Sequence, residues 1–465
     1  ERMALVSDCL RVNELHSIKR FPSYQTLAEM AGWFRSHPTG MLYLGDQVIV
    51  DLLVWYHIAW MGETVRRNNV QLRHLMEKGH GYTLHDRRVL LGIIGELLSS
   101  VIDRYRVLAE NGQIELSMTP YAHPIIPLLL DLDTAREAIP GIAMPQERGY
   151  PGGRERVDWH IREGLETFEQ YFGRKPTGCW PSEGGVSRAA LAVLDEHGFT
   201  WAASGESVFR HSMNHKDNAS LADASLYQAF TQSENGPACF FRDDGLSDLI
   251  GFTYSDWHAD DAVGNLVQHL ENIAASTQAQ KNPLVSIILD GENAWEHFPE
   301  NGYYFLNTLY KKLAEHPGLK MTTYSEYLKE RPQRQSLRTL VSGSWVYGTF
   351  STWIGDIDKN RGWEMLIDAK QAFDETVAEN SLGSEELLAA QHQLSICEGS
   401  DWFWWFGDYN PADSVSDFER LFRVHLSNLY SMLGRQPPEY LSHTFTRGGG
   451  EPAAGGVMRR GQFTG

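Results

Sequence analysis

Hydrophobic and polar positions divide this chain into three stretches. Residues 45–110 carry dense apolar spacing, from Val48 through Trp60 and again from Val89 to Leu108, and this predicts helices. From about Gly112 to about Leu328, short apolar runs alternate with amphipathic segments. Gly112 to Ser117 reads as a strand, and Val157 to Phe172 as a helix stopped by Gly173. Ser187 to His197 reads as a helix with Ser187 as its N-cap and Gly198 as its stop. Thr200 to Ala203 and Leu284 to Leu289 read as strands, the latter between helices over Asp256–Ser276 and Tyr303–Glu315. Such alternation predicts an α/β barrel or open parallel sheet. The pattern changes after Arg331-Pro332-Gln333. Ser344 to Asp356 is aromatic and loop-like, and helices are predicted over Trp363–Glu379, Ser384–Glu398 and Asp417–Leu433. In the last, Phe418, Leu421, Phe422, Leu426, Leu429 and Leu433 form one stripe, and Ser416 with Glu419 forms a capping box. The expected organisation is a catalytic barrel over 1–331, a helical domain over 332–440 and a flexible Gly-rich tail over 441–465.

Three apolar runs end in acids. Gly178-Cys179-Trp180-Pro181-Ser182 leads to Glu183, Ala238-Cys239-Phe240-Phe241-Arg242 to Asp243 and Asp244, and Leu284–Leu289 to Asp290 and Glu292. Acids at the ends of several buried strands imply one site at the strands' C-terminal face.

Composition narrows the partners. A formal net charge of −19 argues against DNA or an anionic membrane surface, since phosphate binding needs clustered Lys and Arg. Cys9, Cys179, Cys239 and Cys397 are scattered, which predicts reduced thiols and a cytoplasmic protein. No run of 18 apolar residues predicts a transmembrane helix. Glu1-Arg2-Met3-Ala4 carries no signal-peptide pattern, and a chain opening on Glu is expected to lack its native start.

Several stretches taken in order resemble glycoside hydrolase family 57, the α-glucan-active group of α-amylases, amylopullulanases, 4-α-glucanotransferases and branching enzymes. They are Gly112-Gln113-Ile114-Glu115, Trp180 to Gly184, Phe241-Arg242-Asp243 through Phe252, and Asp290 to Glu296. Gly343-Ser344-Trp345, Trp353-Ile354-Gly355 and Glu398 to Trp405 extend the match. The likeness is nearest to the amylopullulanase and α-amylase members. It implies an incomplete (β/α)7 barrel followed by a C-terminal helical domain, and a retaining mechanism with Glu183 as nucleophile and Asp243 as acid/base. The family's opening His-Gln-Pro motif is absent, so the first barrel strand is expected to be missing.

The residues carry this chemistry on their own terms. Glycosidic cleavage needs a proton for the leaving oxygen and stabilisation of an oxocarbenium-like centre, and two carboxylates supply both. Asp243 would have to stay protonated, through burial beside Phe240 and Phe241 or repulsion from a neighbouring acid, so Arg242 is expected to face away from it or to serve Glu183. Asp244 competes for the acid role, but adjacent side chains in an extended segment face opposite ways. Glu115, His123, Arg242, Asp290, Glu292 and the indoles of Trp180, Trp295, Trp353, Trp402 and Trp404 are the substrate-binding candidates. The run Trp402 to Trp405 cannot all face one cleft, so roughly half of it should be packing. His211 and His215 have ligand-like spacing but sit in a polar stretch, Arg210 to Asn218, that reads as a surface loop with no third ligand, so no metal or other cofactor is expected. The predicted function is hydrolysis of α-1,4 links, with α-1,6 links as an extension, in starch- or glycogen-like glucans. The alternatives are a transglycosylase using the same acids (a 4-α-glucanotransferase or branching enzyme) and a non-catalytic glucan-binding protein.

Overall fold

Five short strands make one mixed sheet: β1 (Gly178–Cys179), β2 (Trp201–Ser204), β3 (Phe230–Thr231), β4 (Ala238–Phe241) and β5 (Gln335–Ser336), in the order β1-β2-β4-β3-β5. The computed structural model describes residues 1–147, 149–221, 225–280, 282–331 and 333–450. β1, β2 and β4 run parallel, with Gly178 opposite Trp201 and Ser204 opposite Phe241. Every residue of these three strands is buried. That is the pattern of parallel strands covered on both faces, and it explains their unbroken apolar or small composition. Gly178 is required here, because a Cβ on it would lie 1.8 Å from Cε2 of the Trp201 indole.

The connecting helices follow the expected stops and starts. Gly153–Phe172 ends on Gly173 in the left-handed conformation, with the Gly173 amide bonded to the Glu169 carbonyl. Arg188–Glu196 begins at Ser187, whose side chain accepts from the Ala190 amide at 3.1 Å. Two predicted strands differ. Among 112–117 and 284–289 no residue enters a ladder; Met118 alone bridges to Cys179. Leu284 N bonds to Tyr227 O, and Ser286 O accepts from Asp243 N, but among the described residues these backbone bonds do not extend into a ladder. Apolar alternation reports which side chains favour burial; a ladder also needs a neighbouring backbone.

The described chain forms two compact units. The first joins Glu1–Val107, Leu249–Ile273 and Leu289–Met321, and the second joins Leu108–Asp248, Ala274–Ile288 and Thr322 onward. The expected boundary at 331/332 does not coincide with this division. The sheet and the helices Ile357–Ala378, Ser384–Cys397 and Ala412–Met432 share one core in the second unit, in which Cys179, Ala202, Phe241, Leu366, Leu394, Phe422 and Leu426 are all buried. The first unit has its own core, centred on Tyr24, Leu52, Trp55, Ile58 and Leu72 of its N-terminal helices.

Two local expectations are corrected. The last long helix begins at Ala412, so Ser416 is inside it, and Glu419 is buried and paired with Arg423 instead of capping. The stretch expected as a surface loop over 210–218 is mostly ordered, as the helix Glu206–Met213 and a turn over Lys216–Leu221. Of the tail, 443–450 packs on the loop at 408–410 through Gly449 N to Asp408 O and Gly450 N to Asn410 O. The tail's remaining residues, 451–465, lie outside the described residues.

Candidate active site

β1 ends at Cys179, and the chain turns at Ser182–Gly184. Glu183 there has φ 57° and ψ 26°, and Gly184 has φ 58°. For a residue with a Cβ this left-handed conformation costs about 1–2 kcal/mol, so surrounding contacts must hold it. They come from two sides. Ser204, at the end of β2, donates through Oγ to Gly184 O at 2.6 Å. The segment 343–345 supplies the rest: Val186 and Gly343 exchange amide bonds, and Trp345 N donates to Glu183 O at 3.1 Å. The Trp345 indole then donates from Nε1 to Glu183 Oε2 at 3.0 Å. The Trp180 and Trp345 rings meet edge to face at 5.4 Å.

β4 ends at Phe241, two positions before Asp243, which is buried. Asp243 accepts from Leu246 N at 2.8 Å through Oδ1 and from the Tyr227 hydroxyl at 3.0 Å through Oδ2. It therefore caps the helix Asp244–Phe252. Burial, reinforced by the Asp243 charge, pushes the Tyr227 phenol well above its usual range, so the hydroxyl stays a donor.

Arg242 faces away from Asp243, as expected. Its Nη1 meets Asp244 Oδ1 and its Nη2 meets Asp248 Oδ1, each at 2.7 Å, and its Nε donates to Ile288 O at 2.8 Å. The guanidinium lies 5.3 Å from the centre of a Trp345 ring. Asp244 is thus committed to Arg242. Burial pushes its carboxyl up to about 6, only partly offset by that guanidinium. Glu206, the first residue of the helix Glu206–Met213, accepts from the Asp244 amide at 3.0 Å. β1 and β4 flank β2, so their axes are two strand spacings apart, roughly 10 Å.

The remaining candidates separate. Glu115 is a strut: its carboxylate accepts from Thr177 Oγ1 at 2.9 Å, Trp201 Nε1 at 2.8 Å and Ser325 N at 3.0 Å, and also from Ser325 Oγ. Burial would raise its pKa, but these donors outweigh burial and hold it below the usual range. His123 is tied to Ser400, ring nitrogen to hydroxyl, at 2.7 Å. Trp353 is fully buried, with its carbonyl bonded to Trp363 Nε1, so it is core and no sugar platform. Trp402 donates to Ile396 O and packs on Phe418, Phe422 and His425, while Trp404 packs on Trp353. Both belong to the packing share of that aromatic run. Asp290 and Trp295 belong to the first unit, Asp290 as the N-cap of Gly291–Ala294 and Trp295 against Phe298 and Phe305. The side chain of Glu292 lies outside the described residues.

His211 meets Gly348 O and His215 meets Asp217, and among the described residues no three His, Cys, Asp or Glu converge as a metal site requires. No helix among them is long and apolar enough to cross a membrane.

A cavity of about 520 Å³ opens in the second unit. Its lining includes Glu115, Trp180, Trp201, Ser286 and Tyr324, but neither Glu183 nor Asp243. It touches the two acids only through neighbours: Trp180 precedes the Glu183 turn, and Ser286 bonds the Asp243 amide. Tyr227 and Glu206 are the site residues that a reading of single segments misses. Trp345 was legible as part of a matched stretch, whereas Tyr227 and Glu206 lie in no recognisable pattern.

Two parallel strands thus lead to a half-buried acid, Glu183, bonded to an indole, and a buried one, Asp243. The glycosyl hydrolase family 57 profile matches residues 20–339, and the chain belongs to that family. The fold is its incomplete (β/α)7 barrel with a C-terminal helical region. The chain is an enzyme of glycoside-hydrolase type, in a family that acts on α-glucans. Solved structures agree on the fold. A branching enzyme from Thermococcus kodakaraensis superposes with TM-score 0.55 at 14% identity, covering 83% of this chain and 79% of that one. One from Pyrococcus horikoshii gives 0.54 at 17%, covering 84% of each. An α-amylase from Thermotoga maritima gives 0.55 at 15%, covering 84% and 83%. No curated protein sequence matches significantly.

Proposed function

We propose that this enzyme is a retaining glycosidase that cleaves α-1,4-glucosidic bonds in starch- or glycogen-like glucans. The observation that carries the reading is the placement of Glu183 and Asp243 just beyond the ends of β1 and β4, parallel strands on either side of β2. In the first step Glu183 attacks the anomeric carbon as carboxylate. The glycosidic C–O bond breaks, and Asp243 gives its proton to the leaving oxygen. In the second step water attacks the glycosyl-enzyme, Asp243 takes the water's proton, and Glu183 leaves as carboxylate. Tyr227 and the Leu246 amide orient Asp243 from both oxygens. Asp244 is the weaker acid candidate because Arg242 engages it directly.

In Glu183→Gln, release of reducing sugar from starch should fall by at least about 10³-fold, since a carboxamide cannot form the covalent intermediate. Proton NMR of the first product should show the α-anomer before mutarotation. Full activity in that variant, or an initial β-anomer, would overturn the assignment.

A second reading is favoured by the branching enzymes among the similar structures. The same two acids would transfer the glycosyl group to a sugar hydroxyl in place of water, and longer products from maltooligosaccharides would reveal it. A cytoplasmic location is proposed from four buried thiols, none in a disulfide.

A further inference from the structure

Glu183 is held by a chain of contacts that the two-carboxylate mechanism does not itself require. Asp244, Asp248 and the Ile288 carbonyl clamp three nitrogens of Arg242. The clamped guanidinium lies over the Trp345 indole, which Trp180 meets edge to face. Gly205 leaves room for the same residue, because a Cβ there would come within 2.6 Å of Trp345 Cα. The indole N–H ends the chain on Glu183 Oε2. An indole has one polar hydrogen, so its direction is set once the ring is wedged.

We infer that Trp345 is a positioning residue for the nucleophile: its N–H holds one oxygen of the Glu183 carboxylate, and Arg242, acting through the ring, fixes the direction of that N–H. A donor to the charged form favours the carboxylate and selects the rotamer presented to the anomeric carbon. The arrangement couples the ends of β1 and β4, since Arg242 directly precedes Asp243. The titratable and charged groups gathered around these strand ends are Glu206, Tyr227, Arg242, Asp243, Asp244 and Asp248. The inference rests on the reading of Glu183 as nucleophile.

The test compares Trp345→Phe with Trp345→His in the full chain. Phenylalanine keeps more of the packing surface but has no donor. Histidine packs less well but offers a ring N–H near the same place. If Trp345 acts through its N–H, Trp345→Phe loses about 10–100-fold in kcat with KM within about twofold, the range for one lost charge-assisted hydrogen bond. Its acidic limb of kcat/KM moves to higher pH, and Trp345→His retains more kcat than Trp345→Phe. If the ring is only packing, the order reverses and the limb stays in place, which overturns the inference. A measurement on the unaltered ring does not depend on either variant folding. The Trp345 indole proton resonance should shift with pH in the wild-type chain and stay fixed in Glu183→Gln; a shift of equal size in both overturns the contact. Should Glu183→Gln keep full activity, the nucleophile assignment fails, while the indole titration still reports on the contact by itself.

Discussion

Glu183 occupies a backbone conformation that few side-chain-bearing residues adopt, and Gly184 beside it has φ 58°. A Cβ at Gly184 would lie 2.8 Å from Cη2 of Trp180 and 3.3 Å from Cβ of Trp345. Both rings are part of the clamp on Glu183, so strain here would reach the carboxylate directly. Gly184→Ala should therefore destabilise the fold by about 1–2 kcal/mol, from the left-handed backbone alone. It should also lower kcat far more than the loss of melting temperature accounts for. Thermal unfolding and kinetics on the same preparation check this; wild-type kcat with a lowered melting temperature would show the Trp pair to be irrelevant to Glu183. The cysteines behave differently. Burial pushes Cys239 up to about 12 and Cys9 up to about 11, so neither offers a thiolate nucleophile at neutral pH.

At the scale of elements, the C-terminal helices are joined to the barrel helix Gly153–Phe172 by a buried ionic cluster. Arg156 and His160 of that helix both meet Glu398, which is fully buried just past the helix Ser384–Cys397. Burial alone would raise the Glu398 carboxyl, but the charges and hydrogen bonds of Arg156 and His160 outweigh it and hold it down to about 2. The sign follows. Folded Glu398 binds a proton less readily than unfolded Glu398, so its stabilisation is complete above about pH 4.3, the unfolded value, and fades as pH falls toward the folded one. Glu398→Leu should cost about 3–5 kcal/mol at pH 7, because it leaves Arg156 buried without its anion. The loss should shrink between about pH 4.3 and pH 2, where the wild-type carboxylate also takes up a proton. Urea melts at pH 7 and pH 3 measure both; a loss equal at the two values would mean that Glu398 contributes by packing alone.

At the scale of the whole molecule, the charge balance is one-sided. With a net charge of −19 and an isoelectric point near 5.4, the protein should pass through a solubility minimum close to pH 5.4. Heparin should not retain it at pH 7, and retention there would expose a basic patch that the overall charge conceals. Family membership sets aside the non-catalytic glucan-binding reading, and a neutral polysaccharide suits an acidic surface better than a polyanion does.

What the sequence determined by itself was local or additive. Helix ends at Gly173 and Ser187 were legible because a left-handed stop and a side-chain cap act within one turn. Strand ends that carry acids were legible because short, mainly apolar runs lead within a few residues to a carboxylate at Glu183 and Asp243. Only the tertiary structure decided the rest, since each case depends on what another segment supplies. Leu284–Leu289 made single backbone bonds to Tyr227 and Asp243 and joined no ladder among the described residues. Trp353 went to the core and Glu115 into a knot of four donors, although both had looked available for sugar. Trp345 gained its place at Glu183 from contacts with residues more than 100 positions away in the chain, which neither periodicity nor spacing registers.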